Sequence, residues 1–316
     1  MTGFVTDHTG AVWELPSPEV WELEYGIGTP CDSFVLRCPW QRGQEVRPES
    51  WELFHAEYGG ARVFTGVVDE CEVSLAARGC YLELSGRGMA ARLLDNEALG
   101  QDYQLASPAD IIRDHVAPYG IEVTGGGQLS HVSGFRVETG SSEWTVLEEF
   151  LRKSGGGAPR FDQFGRLILS EFEDSAPLAI GADTPVIALL RRDRRYGVLS
   201  EILVRDRYSG EVQPVRQEEF AALGGKARRV LTMPGHAGTA AMALAGQEQL
   251  ERAARGWQEV EVALPVPFAA MPGQLVELAR EEFCARGTYR VFRSAVRMDG
   301  GGYETRLTLR RPEYVR

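Results

Sequence analysis

Residues 62–98 restrict the fold of this chain more than any other stretch. Apolar and polar side chains alternate from Val63 to Asp69, and a second alternating run continues to Ala77. The turn Ala77-Arg78-Gly79 then reverses the chain into the run Tyr81 to Leu84. Alternation with a period of two predicts half-buried strands, and a short turn makes the two strands antiparallel neighbours.

Glycines interrupt this stretch at two places. Gly66 lies inside the first strand and leaves room for a close backbone. The run Gly86-Arg87-Gly88 predicts a tight corner that leads into a short helix, on which Met89, Leu93 and Leu94 share one face.

The same corner matches a nucleotide-binding pattern. Residues 86–91 fit G-x-G-x-x-A, follow a strand and open a helix, as in dinucleotide-binding folds. The preceding strands are antiparallel, however, whereas a parallel βαβ unit needs a long crossover. We therefore interpret the glycines as structural and predict no cofactor. A stand-alone nucleotide-binding enzyme is kept only as a third functional hypothesis.

The first ninety or so residues hold further short strands with Gly and Pro turns between them. This pattern is typical of an antiparallel barrel or sandwich. The predicted strands are residues 11–15, 20–25, 32–39 and 51–58.

The composition changes after Ala98 to a mixed helix and strand pattern. Ser107-Pro108 predicts an N-cap followed by proline at the first helical position. A second helix opens over Ser141-Ser142-Glu143 and stops at residues 154–157, where a C-cap glycine is expected at Gly155. A hairpin over residues 159–170 completes a small α+β unit.

Strands return after this unit. The run Leu199 to Asp206 alternates, whereas Gln217 to Gly225 is interpreted as a polar, mobile connection that leads into Val230 to Met233. A long helix is predicted over residues 238–256, and a closing hairpin over residues 289–309. The apolar face predicted for this helix contains Met242, Leu244, Leu250 and Ala253.

Three motifs, taken in their order along the chain, carry a resemblance to a known protein family. The first is Phe64-x-Gly66-x-Val68, a hairpin, and then Ser85-Gly86-Arg87 with Leu93-x-Asp95. The second is Gly140-x-Ser142-x-Trp144, and the third is the turn Pro272-Gly273-x-x-Val276 before a terminal T-x-L-x-L run. In this order the chain resembles the tail-hub, or baseplate-hub, proteins of contractile-tailed bacteriophages. The nearest type is the XkdQ-like hub of PBSX-like defective prophages, related to the late-control D group.

The resemblance implies a mainly β fold with an α+β insert: two antiparallel β-barrels of the tail-tube type and a small α+β domain. The corresponding domains are residues 1–97, 98–175 and 176–316, and the barrels are allowed to be discontinuous in sequence. The third domain includes the helix near 238–256.

The resemblance also implies a structural role. A hub of this family is expected to be a homotrimer that joins the tail tube to the central spike, with other baseplate proteins as partners. DNA would only pass through its lumen. The particle could be a phage, a defective prophage or a tail-like bacteriocin. The alternative hypothesis is a peptidoglycan-active or carbohydrate-binding tail protein.

Charge and cysteine content bear on partners and compartment. The formal charge of −11 over 316 residues argues against a surface that grips nucleic acid. It suits a channel that DNA slides through, because like charges repel. The five cysteines match no zinc spacing and predict buried free thiols of a reducing compartment. Without a signal-like start or a membrane-length apolar run, we expect assembly in the bacterial cytoplasm and then a place in the particle.

The sequence predicts no catalytic or metal site. The five histidines are scattered, and His115 is interpreted as a core histidine. The adjacent carboxylates Glu148-Glu149 and Glu281-Glu282 leave a glycosidase pair open, although neighbours on a helix do not face one another. The run Arg191 to Arg195 is interpreted as a solvated strand or turn, with an acidic partner or nucleic acid as the alternative.

Overall fold

The structure is a computed structural model that describes residues 1–28, 32–40, 48–77, 79–174, 176–236, 238–280 and 286–315. The strands within these ranges are β1 Thr2–Asp7, β2 Val12–Glu14, β3 Val20–Gly26, β4 Ser33–Pro39, β5 Trp51–Tyr58, β6 Ala61–Ala76, β7 Gly79–Gly88, β8 Gln101–Ala106, β9 Val123–Thr124, β10 Val132–Val137, β11 Arg160–Phe161, β12 Leu167–Ile168, β13 Leu178–Ile180, β14 Ala188–Asp193, β15 Glu201–Asp206, β16 Val212–Arg216, β17 Arg228–Met233, β18 Gln258–Leu264, β19 Leu275–Leu278, β20 Gly287–Asp299 and β21 Gly302–Arg310. The α-helices are α1 Ala91–Leu94, α2 Pro108–His115, α3 Glu143–Ser154, α4 Glu218–Ala222 and α5 Thr239–Ala254.

One 13-stranded sheet organises the molecule, in the order β14-β18-β21-β20-β3-β4-β7-β6-β5-β1-β2, with β19 beside β20 and β13 beside β19. All neighbours along the main path are antiparallel. The prediction of a mainly β, tail-tube-like fold with a small helical insert is confirmed.

The sheet curls tightly around its first core. Strands β4 and β5 are three steps apart, which in a flat sheet would separate them by about 14 Å. The rings of Phe34 and Phe54 on these strands nevertheless have centroids 4.1 Å apart. The Tyr25 hydroxyl on β3 likewise donates to the Val63 carbonyl on β6, at 2.8 Å. Buried side chains from seven strands therefore meet in one core, which includes Val5, Trp21, Phe34, Phe54, Phe64, Leu82 and Val296.

Two glycines permit this curvature. A Cβ added at Gly66 would lie 2.2 Å from the Arg87 carbonyl oxygen, and one at Gly86 would lie 2.0 Å from the Val67 carbonyl oxygen. Real Cβ atoms do not approach a backbone so closely, so β6 and β7 pack as they do only with glycine at both positions. The predicted close approach at Gly66 is confirmed.

The predicted corner at Gly86-Arg87-Gly88 is wrong in detail. These residues lie inside β7 and pair with both β4 and β6, and the chain turns only at Met89-Ala90, before α1. The spacing of the glycines suggested a turn. Glycine is needed here instead because β6 and β7 pack so closely. The strands before α1 are antiparallel, as predicted, so they do not form a βαβ unit.

Strand β20 connects the first core to a second one. Val291 packs in the second core with Ile180, Val262 and Leu307, whereas Val296 packs in the first. A bulge between Val291 and Arg293 separates the two halves of the strand. Because β20 also pairs with β3, a C-terminal strand completes the sheet that surrounds the first core. The domain limits at residues 97 and 175 stay a prediction.

The α+β insert forms a core of its own. Ser107 caps α2 in a reciprocal capping box with Asp110, and Ser142 caps α3 through the Thr145 amide. Gly155 ends α3 in the left-handed conformation, with φ of 84°. These predicted helix ends are confirmed. The core includes Leu93, Ile111, Phe135, Trp144, Leu147, Phe150 and Leu167.

A second small unit interrupts the strands of the second core. Strands β16, β15 and β17 form a separate sheet, and α5 packs on it through Met242 and Leu250. The predicted apolar face of α5 is wrong at Leu244, which is 62% exposed. The polar connection at 217–225 contains a short helix that was not predicted, α4, whose Phe220 is buried against Trp257. This short helix was not predicted because its one buried residue, Phe220, is surrounded in the sequence by polar residues.

We predict that Gly86→Ala lowers the free energy of unfolding by at least about 2 kcal/mol, because the new methyl group clashes with a backbone carbonyl that cannot retreat. The control Gly127→Ala has open space at its Cβ and should change stability by less than about 0.5 kcal/mol. Urea unfolding of the two variants makes the comparison. Equal stabilities would contradict the role assigned to Gly86.

Asp32 makes stability depend on pH. Its carboxylate accepts a hydrogen bond from the Gly26 amide at 2.8 Å, and burial raises the pKa of Asp32 to about 7. The folded chain therefore binds a proton between about pH 4 and pH 7 that the unfolded chain releases, so the free energy of unfolding falls as pH rises through this window.

We predict that Asp32→Asn removes this decline and stabilises the protein at pH 8 by about 1–4 kcal/mol, because the amide carries no charge to bury. Thermal unfolding at pH 5 and pH 8 measures the effect, with Asp183→Asn on the surface as a control that keeps the wild-type pH dependence. A wild-type pH dependence in Asp32→Asn would show that this carboxyl is not responsible.

Candidate assembly surface

The outer half of β6 has an unpaired side. Strand β5 pairs with β6 only as far as Val67, opposite Leu53, whereas β7 pairs with β6 out to Ala76. Among the described residues, no strand pairs with the other side of residues 68–76, which we call the acidic edge. An open strand edge exposes backbone donors and acceptors and is a template for pairing with another strand.

Apolar side chains of the acidic edge lie beyond the core. Val73 stands opposite Leu82, and Leu75 stands opposite Cys80, so both point to the face of the sheet that carries the core. Val73 is 49% exposed and Leu75 is 67% exposed. The apolar face of the sheet therefore continues past the region that this chain covers by itself.

The opposite face of the acidic edge carries uncompensated charge. Glu72 on β6 stands directly across from Glu83 on β7, and Glu70 lies on the same face of β6, two residues before Glu72. Like charges opposite each other destabilise a strand pair. None of the three glutamates makes an ion pair with any described residue. The neighbouring Arg37 stacks on the Tyr81 ring, with its guanidinium carbon 4.0 Å from the centroid.

Asp69 is the exception within this edge. Arg87 binds Asp69 at 2.7 Å and Asp95 at 2.6 Å. The hydrogen bonds to Asp69 and Asp95 raise the pKa of Arg87, and the pKa of Asp95 is lowered by the same guanidinium. This triad is satisfied within the chain, so the unbalanced charge is that of the three glutamates.

The end strand β14 of the sheet is basic. Strand β14 pairs with β18 and, within the described residues, with no other strand. The predicted arginine run begins within β14 and continues to Arg195; Leu190 on the strand is 45% exposed, and Ile187 just before it is 54% exposed. We call residues 187–195 the basic edge.

The arginines of the basic edge are partly neutralised by nearby carboxylates. Arg191 binds Asp193 at 3.0 Å, and Arg192 binds Glu261 at 3.0 Å. Arg194 lies 4.0 Å from Glu259 and remains 52% exposed. The interpretation as a solvated strand is confirmed, and the alternative of an acidic partner stays open.

The remaining sequence-based candidates do not come together. Glu149 binds Lys153 at 2.7 Å, whereas burial raises the pKa of Glu148. The two adjacent carboxylates therefore lie in different surroundings and do not act as a pair. His115 is 3% exposed, and its Nδ1 lies 2.6 Å from Glu143 Oε2, which confirms a core histidine. The pair Glu281-Glu282 lies outside the described residues.

The described cysteines are free thiols. Cys38, Cys71 and Cys80 form no disulfide, and burial raises the pKa of Cys38 to about 12 and that of Cys71 to about 11. Both thiols stay protonated at neutral pH and are poor nucleophiles. Cys31 and Cys284 lie outside the described residues.

The described ranges contain neither a metal-binding cluster nor a membrane-spanning helix. No three His, Cys, Asp or Glu side chains gather there into a group that could hold a metal ion. No helix in those ranges has the length and apolar character needed to cross a membrane.

Comparisons with known proteins identify the fold. No protein-family model and no curated protein matches the chain. Among solved structures, the 43 kDa tail protein of prophage MuSo2 from Shewanella oneidensis has a TM-score of 0.79 at 17% identity, covering 100% of this chain and 99% of that one. A tail protein from Neisseria meningitidis MC58 has a TM-score of 0.79 at 15% identity, covering 99% and 97%. The chain has the fold of prophage tail proteins.

A third match extends the fold to secretion systems. An E. coli component of the type VI secretion system, described as structurally similar to the T4 bacteriophage tail proteins gp27 and gp5, has a TM-score of 0.60 at 12% identity. It covers 95% of this chain, which spans 75% of that protein. The resemblance to phage-tail proteins expected from the sequence is confirmed at the level of this tail-protein fold.

Sequence reasoning placed β6 correctly but missed its open edge. The strand pattern does not reveal that β5 stops short of the outer half of β6. The available signal was the acidic run Asp69-Glu70 and Glu72 beside the apolar Val73 and Leu75. A strand with one buried and one solvated face does not need this concentration of charge.

We predict that Glu72→Gln stabilises the dilute, monomeric chain by about 0.2–1 kcal/mol, because it removes the repulsion from Glu83. The gain should shrink in 1 M salt, where exposed charges are screened. Thermal unfolding at low and high salt measures it, and Glu211→Gln on another exposed strand end should give no gain. An unchanged Glu72→Gln would mean that the two carboxylates do not repel each other in the free chain.

Proposed function

We propose that this chain is a structural hub of a contractile phage tail or a phage-tail-like particle. The observation that carries the proposal is the tail-protein fold, which extends over 99–100% of this chain and 97–99% of two prophage tail proteins. The protein would act by holding other proteins in place and not by turnover.

The hub would join the end of the tail tube to the central spike. Support comes from the type VI secretion component that is itself described as similar to the T4 tail proteins gp27 and gp5, and from matches to VgrG complexes of Francisella with TM-scores of 0.55–0.58. The expected partners are the tail tube protein, the spike and other baseplate proteins.

We infer a homotrimer for this hub. The chain contains two sheet-lined cores on one face of a single sheet, so three copies would present six such units. A trimer of this kind fits a six-fold tube on one side and a three-fold spike on the other.

The outer face of the sheet suits a lumen that DNA crosses. The strand pairing places Glu22, Glu70, Glu72 and Glu83 on this face together with Glu24, opposite the core. Arginines share this face, with Arg37 opposite Glu83 and Arg297 opposite Glu22, so the support for a DNA lumen is the net charge of −11 of the chain, which repels the phosphate backbone. The proposed location is therefore the bacterial cytoplasm during assembly and the particle afterwards.

The proposal predicts a trimer with a central channel when the purified chain is measured by light scattering and class-averaged electron microscopy. Mixed with the tail tube protein of the same particle, the trimer should cap tube ends. A compact monomer that caps no tube would contradict the hub. Turnover of purified peptidoglycan, lost on changing a carboxylate pair, would instead support the alternative of a cell-wall-active tail protein.

A further inference from the structure

We propose that strand β17 binds an extended acidic segment of another protein, which adds to its free side as a fourth strand of the sheet β16-β15-β17, here called the small sheet. The proposal goes beyond the hub and does not depend on it, because the small sheet is separate from the main sheet. The segment would carry two neighbouring carboxylates beside apolar side chains. Backbone pairing, charge and apolar surface each point to this occupant.

One side of β17 is open for backbone pairing. Strand β17 pairs in parallel with β15 along its whole length, from Arg228 opposite Glu201 to Met233 opposite Asp206. Among the described residues, no strand pairs with its other side. Residues of a strand direct their backbone groups alternately to its two sides, so every second residue of β17 presents an N–H and a C=O to the open side. Such an edge is a template for the addition of a strand.

The two edges of the small sheet differ. The edge strand β16 contains Pro214, which has no N–H to donate and which stands opposite Leu203. Proline is one of the means by which proteins prevent pairing at an exposed edge. Strand β17 contains neither proline nor glycine, and its residues Val230, Leu231 and Thr232 suit an extended backbone. Of the two edges, β17 is therefore the one that can accept another strand.

The open edge of β17 is cationic in an acidic chain. Lys226, Arg228 and Arg229 are all exposed, whereas the whole chain has a formal charge of −11. Arg228 binds Glu201, which also binds Arg216 at 3.0 Å. Lys226 and Arg229 have no acidic partner among the described residues. These cations repel the same edge of a second copy and attract an acidic segment, so charge decides between the two occupants.

The two arginines of β17 lie on opposite faces of the small sheet. Arg228 stands opposite Glu201 on the face turned away from α5, whereas Arg229 stands opposite the buried Ile202 on the face that α5 covers. An added strand also directs successive side chains to alternate faces. Two neighbouring carboxylates on that strand would therefore each lie beside one arginine, which is why the segment requires an acidic pair.

Apolar side chains continue the edge beyond the arginines. Val230 is 59% exposed and stands opposite Leu203, in line with Pro214 on the face turned away from α5. Leu231 and Met233 lie on the other face, half-buried against the core of the small unit. Apolar side chains on the added strand would cover Val230 on one face and extend that core on the other. The segment therefore requires apolar residues beside its acidic pair.

The test uses synthetic peptides of about six residues, the length of an ordinary strand. Each peptide has two glutamates at one end, N-terminal in one version and C-terminal in the other, and alternating valine and threonine in the rest. The full chain should bind one version at least about tenfold more tightly than the same peptide with glutamine in place of both glutamates, as measured by calorimetry. Hydrogen exchange at β17 should slow on binding, because the added strand takes up its free amides.

The variant Lys226→Glu with Arg229→Glu reverses the unpaired charges of the edge and leaves the ion pairs of Glu201 intact. It should bind the acidic peptide at least about tenfold more weakly and should instead favour a peptide with lysine in place of both glutamates. The control Arg207→Glu with Arg252→Glu makes the same change in net charge at exposed positions of the same unit away from β17, and it should bind the acidic peptide as the wild type does. Thermal unfolding shows whether both variants are folded.

The outcomes separate this site from the hub. Binding of the acidic peptide that slows exchange at β17 and is lost only in the edge variant supports the proposal. Equal binding of the acidic and glutamine peptides, or binding of neither, shows that β17 takes no acidic segment. Self-association of the wild type that the edge variant abolishes in the absence of peptide would make a second copy the occupant and overturn the proposal. The edge variant should form the trimer and cap tail tubes as the wild type does, so a wild type that fails in both contradicts the hub and not this site.

Discussion

The close packing of β6 on β7 is the constraint on which the rest of the structure depends. At Gly66 and Gly86, each strand comes so near to the carbonyl groups of the other that no side chain fits. This contact lets the sheet curl until Phe34 and Phe54, three strands apart, stack on each other. Without that curl the strands would form an open sheet with one wet face, and the first core would not exist.

The unequal lengths of β5 and β6 produce the acidic edge. Strand β6 is longer than its partner β5, so its inner half closes the first core and its outer half projects past it. At the far end of the sheet, β14 is the last strand beside the second core. One chain thus carries two cores on one sheet face, and within the described residues the outer half of β6 and one side of β14 pair with no further strand.

Much of this fold could be predicted from local patterns. Strands β3, β4 and β5 alternate cleanly, and Ser107, Ser142 and Gly155 mark helix ends through specific backbone needs. The errors arose where distant packing decides. Gly86 and Gly88 imitate a turn but serve a strand contact, Leu244 lies on a helix whose neighbours are set by a separate sheet, and α4 depends on Phe220 meeting Trp257. The open edge of β6 was beyond sequence reasoning because it depends on where another strand stops.

A density map of the assembled ring, alone or bound to a tail tube, tests the central claim most directly. The account predicts a closed ring of three copies with a central channel that sits on the end of the tube. A chain that forms no ring, either alone or with a tail tube, would contradict the proposed hub.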